Sequence, residues 1–178
     1  MTISQHMLEL LRKSLHASEL QVYAKPEWGS DNPEHRILLH TERDKLLAQT
    51  KDKLYWSISH AKGMGILVLC NKPVGVDVEV ISRVHEGVVK RVSNPAEVSS
   101  APTASALWTA KEAAFKATRE FNQPSVLCDI SIGDWKNIES QLETFALLNF
   151  RTHGLPSGEH GACLEISAHC FGFFVAHS

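Results

Sequence analysis

The chain has 178 residues, of which 43% are hydrophobic and 21% are charged, a balance that excludes a disordered, collagen-like or coiled-coil protein. Its 18 Lys and Arg against 20 Asp and Glu give a formal net charge of −2, which argues against a nucleic-acid-binding protein with a strongly basic face. The sequence has no apolar run near the roughly 20 residues of a membrane helix, and its four cysteines contain no Cys-x-x-Cys. We therefore expect a cytoplasmic protein with free thiols.

The first third of the chain alternates helical and extended patterns. Apolar residues three and four apart predict a helix over residues 3–15, and alternation predicts a strand over residues 19–24. Asn32 followed by Pro33 combines a cap residue with proline at the first helical position, so a second helix is predicted over residues 33–49.

Strand patterns follow from residue 54 onward. Leu54, Trp56 and Ile58 alternate with polar residues, residues 66–70 form an apolar run, and Val74–Val80 alternates again. The connections between these strands are short, which predicts antiparallel hairpins.

The second half mixes one clear helix with more strands. A helix is predicted over residues 103–121, with a core stripe at Leu107, Ala110, Ala114, Ala117 and Phe121. Before it, residues 84–92 have a helical pattern and residues 93–102 are predicted to be a loop; after it, strands are predicted over residues 125–132, 142–150, 162–167 and 170–176. Separate runs of helices and antiparallel strands indicate the α+β class.

The segment Val74–Val80 reads V-G-V-D-V-E-V. Because side chains alternate along a strand, the valines share one face, and Asp77 and Glu79 lie on the other, roughly 6–7 Å apart at the backbone. Two like charges this close favour a cation between them, and oxygen ligands suit Mg²⁺. The alternative is a solvated strand face with two ordinary acids.

The helical segment W-T-A-K-E-A-A-F-K begins at Trp108 and ends at Lys116. Glu112 and Lys116 are four residues apart, so they share a helix face and could address one phosphate. Trp108, one turn earlier, could form a wall of that site. The alternative is an ordinary surface ion pair, which contributes only a few tenths of a kcal/mol.

The third segment, S-I-S-H, covers residues 57–60 at the end of a predicted strand. Adjacent strand residues point in opposite directions, so Ser59 and His60 are not expected to form a nucleophile–base dyad. They are candidates for binding phosphate oxygens, although a single histidine is more often structural.

These three segments, in this order, resemble the 4′-phosphopantetheinyl transferases: S-I-S-H, then G-V-D-V-E, then W-x-x-K-E-x-x-x-K. The resemblance covers residues 54–118 well. It implies transfer of 4′-phosphopantetheine from coenzyme A to a serine of an apo acyl or peptidyl carrier protein, with release of adenosine 3′,5′-bisphosphate. It also implies the fold: antiparallel sheets packed with helices, in two similar halves.

By the same resemblance, Asp77, Glu79 and Glu112 would hold Mg²⁺, with Mn²⁺ as an alternative. Glu112 or a water on the metal would take the proton from the carrier serine, and Lys116 would hold the pyrophosphate. Ser59 and His60 would lie by the 3′-phosphate of coenzyme A. Further candidates for binding coenzyme A are basic residues, namely Lys111, Arg36 and Arg43.

The G-V-D-V-E strand lies far from the N-terminus, which resembles the longer, two-half family type rather than the trimeric holo-acyl-carrier-protein synthase type. We therefore expect a monomer with an abbreviated N-terminal half, residues 1–73, and a C-terminal half, residues 74–178, that carries the metal motifs. No nucleic acid or membrane partner is expected.

Two alternatives remain open from the sequence. The first is a degenerate relative that binds coenzyme A or a carrier protein without transfer. The second is a zinc-binding module built from residues whose spacing is irregular for such a site, namely His160, Cys163, His169 and Cys170.

Overall fold

The structure, a computed structural model, describes residues 3–121, 123–150 and 160–177. Its longer elements fall in the α+β class, and the predicted class is confirmed. In chain order they are α1 (Gln5–Ser14), β1 (Gln21–Lys25), α2 (His35–Leu47), β2 (Tyr55–Ala61), β3 (Met64–Cys70), β4 (Val74–Val80), α3 (Glu86–Val89), α4 (Pro95–Ser100), α5 (Ala104–Ala117), β5 (Ile130–Glu139), β6 (Leu142–Phe150), β7 (His160–Ile166) and β8 (His169–Val175).

Two antiparallel sheets form the framework. One has three strands in the order β1-β3-β2, and the other has five in the order β4-β8-β7-β6-β5. The main hydrophobic core lies between them, and α1 and the residue that follows it contribute Leu11 and Leu15 to this core. Helix α2 covers the outer face of the three-stranded sheet, and α5 covers the outer face of the five-stranded sheet. The helices therefore flank two sheets packed face to face.

One predicted hairpin is confirmed and the next is wrong. β2 and β3 pair as an antiparallel hairpin that closes at Ala61 and Met64. β4 does not pair with β3, because both edges of β3 are already occupied by β1 and β2. It crosses into the other sheet and pairs with β8, from Val74 opposite Val175 to Val80 opposite His169.

Two helix predictions also need correction. α2 begins at His35 rather than Pro33, because the Asn32 side chain accepts a hydrogen bond from the Glu34 N–H instead of capping a helix that starts at once. The predicted loop over residues 93–102 contains α4. A capping box between Asn94 and Glu97 starts this helix, and such reciprocal bonds satisfy two of the free N–H groups at a helix start.

Helix α5 lies directly on the backbone of β4 and β8. A Cβ atom at Gly75 would overlap the carbonyl oxygen of Ala113, and one at Gly172 would overlap that of Thr109. The predicted core stripe is buried from Leu107 to Ala117, whereas Phe121 lies beyond the end of the helix. The glycines thus let the helix approach closely enough for its side chains to reach the outer face of β4.

Replacing Gly75 with Ala tests this close contact. The added methyl group must push α5 away from β4, and overpacking of this kind costs about 1–3 kcal/mol or more. We expect Gly75→Ala to lower the free energy of unfolding by at least that amount in urea denaturation. Gly87→Ala is the control, because a Cβ there has open space and alanine favours a helix; equal stability of the two variants would contradict the prediction.

Candidate active site

The candidate site lies where the edge strands of the two sheets, β2 and β4, run side by side. At this unpaired edge of β4, side chains form hydrogen bonds with the backbone N–H and carbonyl groups of Val76. The Val76 N–H donates to Ser57 Oγ at 3.1 Å, and Lys116 Nζ donates to the Val76 carbonyl oxygen at 3.1 Å. An exposed strand edge normally needs such partners, so β2 and α5 are both fixed against β4 at this point.

Asp77, the next residue, is the centre of a compact polar cluster. Its Oδ1 accepts from Ser59 Oγ at 2.7 Å and from Lys116 Nζ at 2.7 Å. Lys116 Nζ also donates to Ser59 Oγ at 3.1 Å. The Asp77 side chain is only 7% exposed, against 21% for Lys116, so the ammonium group neutralises a carboxylate that is almost out of water.

The second oxygen of Asp77 has no such partner, and two further carboxylates interact with Asp77. Asp77 Oδ2 is buried and has no hydrogen-bond partner among the described residues. Burial raises the pKa of Glu79 and of Glu112, and in each the negative charge of Asp77 raises the pKa further. Lys116 acts on both glutamates and Arg83 acts on Glu79, so three acidic groups face two basic ones, which leaves an excess of negative charge at the outer face of β4.

This donor set fits a hard divalent cation. The groups offer only oxygen atoms, and an unpartnered buried oxygen of Asp77 is one ligand position ready to be used. The carboxylates are not yet gathered around a common point, since within the described ranges no three His, Cys, Asp or Glu side chains are placed to hold an ion. The residues of the zinc alternative, His160, Cys163, His169 and Cys170, are all among the described residues and are likewise not placed to hold an ion.

Ser59 and His60 lie on opposite faces of β2, as strand alternation predicts. Ser59 faces Asp77, whereas the ring of His60 packs edge-on against His35 of α2, with ring centroids 4.3 Å apart. Burial lowers the pKa of His60, and the charges of His35 and Arg36 lower it further. His60 Nδ1 and His35 Nε2 are buried without a hydrogen-bond partner among the described residues. The exposed Arg36 is therefore near His60, but this group is separate from the Asp77 cluster.

The structure does not bring the other predicted coenzyme A ligands to the cluster. Lys111 is fully buried and donates to Glu97 Oε1 at 2.8 Å. Arg43 pairs with Asp44 and stacks on Trp56, with its guanidinium 4.5 Å from the ring centroid. Both basic side chains therefore already form an ion pair with a carboxylate of the protein.

Three residues at or beside the site were not singled out in the sequence for these roles. Ser57 shares a strand face with Ser59, so alternation along β2 could have indicated it. Glu97 could have been found through its capping box with Asn94. His35 had no local signal, because its contact with His60 depends on how α2 packs on the sheet.

Comparison with known proteins matches the sequence of this chain to a family. A family model described as the 4′-phosphopantetheinyl transferase superfamily matches residues 73–163, just over half of the chain. That span contains Asp77, Glu79, Glu112 and Lys116. The chain belongs to the 4′-phosphopantetheinyl transferase superfamily. Its membership supports phosphopantetheinyl transfer in general terms.

Two further observations accompany the assignment. A search of curated proteins finds no match to this chain. Within residues 3–121, 123–150 and 160–177, no helix is both long and apolar enough to cross a membrane.

The buried Glu97–Lys111 pair yields a stability prediction. Glu97 Oε1 also accepts from the Ile132 N–H at 3.1 Å, so the pair joins α4, α5 and β5. Removing the ammonium group in Lys111→Met leaves a buried charge unpaired, which costs about 3–5 kcal/mol. We expect a large loss of unfolding free energy in urea denaturation.

The matched control is the double variant Glu97→Gln with Lys111→Met. The glutamine side chain is neutral, and its oxygen can still accept from the Ile132 N–H, although its NH2 group cannot accept from the Asn94 N–H as Glu97 does. Because no buried charge is left unpaired, the double variant should be more stable than Lys111→Met alone. Additive losses from the two changes would show that the pair is not coupled.

Proposed function

We propose that the protein transfers 4′-phosphopantetheine from coenzyme A to a serine of an apo acyl or peptidyl carrier protein, releasing adenosine 3′,5′-bisphosphate. The observation that carries the proposal is the Asp77–Lys116 cluster with its unpartnered Asp77 oxygen, in a chain of this superfamily. Transfer of a phosphoryl group depends mainly on positioning and charge neutralisation, and this cluster offers both.

Asp77, Glu79 and Glu112 are the residues proposed to hold Mg²⁺, or Mn²⁺ in its place. When bound, the ion would supply positive charge to the pyrophosphate of coenzyme A. Asp77 Oδ2 is free to bind it without breaking the bonds made by Oδ1. Burial first, and then the negative charge of Asp77, raises the pKa of Glu79 and of Glu112, and a bound cation would offset the charge of Asp77.

Lys116 is proposed to bind the pyrophosphate and to stabilise the leaving phosphate. Its three N–H groups donate to Asp77, Ser59 and Val76, so it is oriented before substrate arrives and would give up one of these acceptors to donate to the pyrophosphate. A preoriented charge costs little reorganisation during the reaction. Glu112, one helical turn earlier on α5, or a water on the metal is proposed to take the proton of the carrier serine.

The coenzyme A nucleotide is proposed to bind at the other end of β2. Arg36 is exposed there, close enough to His60 to lower its pKa, and His60 has an unpartnered nitrogen. Ser59 would contribute through its hydroxyl between Asp77 and Lys116. Arg43 and Lys111 are assigned structural roles, because their charges are already paired.

We also propose the two-half family type, a monomer that acts in the cytoplasm. The boundary at residues 73 and 74 is supported by the sheets, since β1 to β3 come before it and β4 to β8 come after it. Asp77 and Ser59, which are hydrogen-bonded, come from opposite sides of that boundary. The site would then lie between the two halves.

One observation favours a second candidate, a relative that binds coenzyme A or a carrier protein without transfer. The carboxylates are not gathered around a common point in the described residues, and Lys116 occupies Asp77 Oδ1. Retained coenzyme A binding in calorimetry, with no transfer to any carrier protein, would identify this candidate.

Transfer can be measured by intact-protein mass spectrometry of an apo acyl carrier protein incubated with the protein, coenzyme A and Mg²⁺. We expect the carrier to gain the mass of one phosphopantetheine. Asp77→Asn and Glu112→Gln each remove a charge that the cation needs, so the initial rate should fall at least about 100-fold. Excess EDTA should abolish transfer.

Glu86→Gln is the control for these variants. Glu86 is an exposed acid paired with Lys90, so its change should leave the rate within about twofold. Wild-type rates in Asp77→Asn would refute the proposed metal site, and transfer unaffected by EDTA would refute the requirement for a metal.

Docking of an acidic carrier protein gives a further prediction. Arg83, Lys90 and Arg91 are exposed, and the charge of Arg83 acts on Glu79, so we propose these three bases as the docking surface. Reversing Lys90 and Arg91 to Glu should weaken carrier binding about tenfold or more, while coenzyme A affinity stays constant. The control is Lys13→Glu on α1; an unchanged carrier affinity in the Lys90/Arg91 variant would rule out this docking surface.

A further inference from the structure

A groove lies between helix α1 and strand β5, at the edge of the five-stranded sheet that is farthest from β4. We call it the α1–β5 groove. Its volume is about 720 Å³, and its lining combines apolar and basic side chains, among them Leu10, Lys13, Trp135, Lys136, Ile138 and Ala146. Pockets that hold small molecules typically measure about 300–1,000 Å³, so the groove is large enough for one.

The floor of the groove continues the face of β6 that enters the main core. Thr144 and Ala146 follow Leu142 at intervals of two residues, so strand alternation places all three on one face. Leu142 is fully buried in the core between the sheets, whereas Thr144 and Ala146 line the groove. Both of these side chains are small, which leaves space above them.

A β-bulge in β5 determines which side chain lies over this floor. Gly133 lies opposite Ala146. Three residues later, Lys136 lies opposite Thr144, which is only two residues from Ala146, so β5 contains one extra residue here. Without the extra residue, Trp135 would lie opposite Thr144; with it, the lysine takes that place. Bulges redirect side chains in this way and are common beside functional sites.

The basic side chains of the groove have few acidic partners. Lys13 and Lys136 are exposed, and neither forms an ion pair among the residues that the structure describes. Glu139, the last residue of β5, is already bonded to a histidine of α1 at 3.0 Å. Asp134 is then the acid in the described lining. The lining also contains two histidines that add positive charge when protonated, namely His16 and His160.

Apolar side chains form the rest of this surface. Ile138 is 45% exposed, and a large apolar side chain exposed beside cations is typical of a surface that binds a partly apolar ligand. With neutral histidines, two lysines and one aspartate give the described lining a formal charge of +1. The groove therefore complements a ligand with one negative charge and an apolar body.

We propose that the α1–β5 groove binds a carboxylate carried on an apolar chain, as in a medium-chain fatty acid. The chain packs on Leu10, Ile138 and Ala146, and Lys13 and Lys136 bind the carboxylate. Three strands separate β5 from β4, which corresponds to about 19 Å at the usual strand spacing. The ligand therefore does not contact the proposed metal site, and the proposal does not depend on phosphopantetheinyl transfer.

The test is isothermal titration calorimetry of the full chain with octanoate, and in parallel with 1-octanol and with acetate. 1-Octanol has the apolar chain without the charge, and acetate has the charge without the chain. We expect one octanoate to bind per chain, at least about tenfold more tightly than either comparison ligand. Both the charged hydrogen bonds and the burial of the chain contribute to its affinity.

Lysine variants then locate the carboxylate. Lys13→Ala with Lys136→Ala should weaken octanoate binding about tenfold or more, because hydrogen bonds to the charged groups are lost. The matched control is Lys51→Ala with Lys62→Ala, which removes the same charge from two exposed lysines outside the groove. This control should bind octanoate like the wild type.

Isoleucine variants locate the chain. Ile138→Glu places a negative charge where the chain packs and should also weaken octanoate binding about tenfold or more. Ile37→Glu on α2 is the matched control, because Ile37 is likewise an exposed isoleucine, at 68%, and does not line the groove. Both changes are at exposed positions, where substitutions usually have little effect on folding.

Any of four results would overturn the proposal. Octanoate that gives no saturable heat shows that the groove does not bind it. 1-Octanol that binds as tightly as octanoate contradicts the role of the lysines, as does wild-type affinity in the Lys13/Lys136 variant. Equal octanoate affinity in Ile138→Glu and Ile37→Glu places the ligand elsewhere. Coenzyme A and carrier protein are absent from this titration, so its failure would not bear on the transferase assay.

Discussion

The ammonium group of Lys116 is the interaction on which the candidate site depends. It donates to a side chain on β2, to a backbone carbonyl on β4 and to the Asp77 carboxylate, so one residue of α5 joins the facing edges of two sheets. A charge with three acceptors is both neutralised and oriented. Without it, Asp77 would be a nearly buried carboxylate with no cation, and the free edge of β4 would lose a partner at Val76.

Lys116 reaches Asp77 because the helix is held close to the sheet at two places. The glycines of β4 and β8 remove the side chains that would keep α5 away, and the buried Glu97–Lys111 pair fixes the same helix to α4 and β5. The two lysines of the motif thus have different tasks. Lys111 is fully buried and structural, whereas Lys116 is partly exposed at the junction of β2 and β4, where a substrate can reach it.

The sequence predicted local features of this site better than its long-range arrangement. Alternation in Val74–Val80 placed Asp77 and Glu79 on one face, and helical spacing placed Glu112 and Lys116 together, because both follow from backbone geometry. The sheet to which β4 belongs depends on the partner strand β8, which no local pattern encodes. For the same reason, the buried environment of Lys111 was not predictable: it depends on Glu97, which lies in a segment expected to be a loop.

The crossing of the chain between sheets at residues 71–73 has a consequence for folding. β2 and β3 pair with each other through a tight turn. β4 pairs with β8, in which Val175 lies opposite Val74, so it can pair only after β8 is present. Contacts between residues so distant in sequence carry a large loop-closure entropy and form slowly. A growing chain can therefore complete its serine-bearing hairpin early, yet Asp77 gains its final position only after the β7–β8 hairpin has docked. Formation of the Asp77–Lys116 ion pair would then report on a late step of folding.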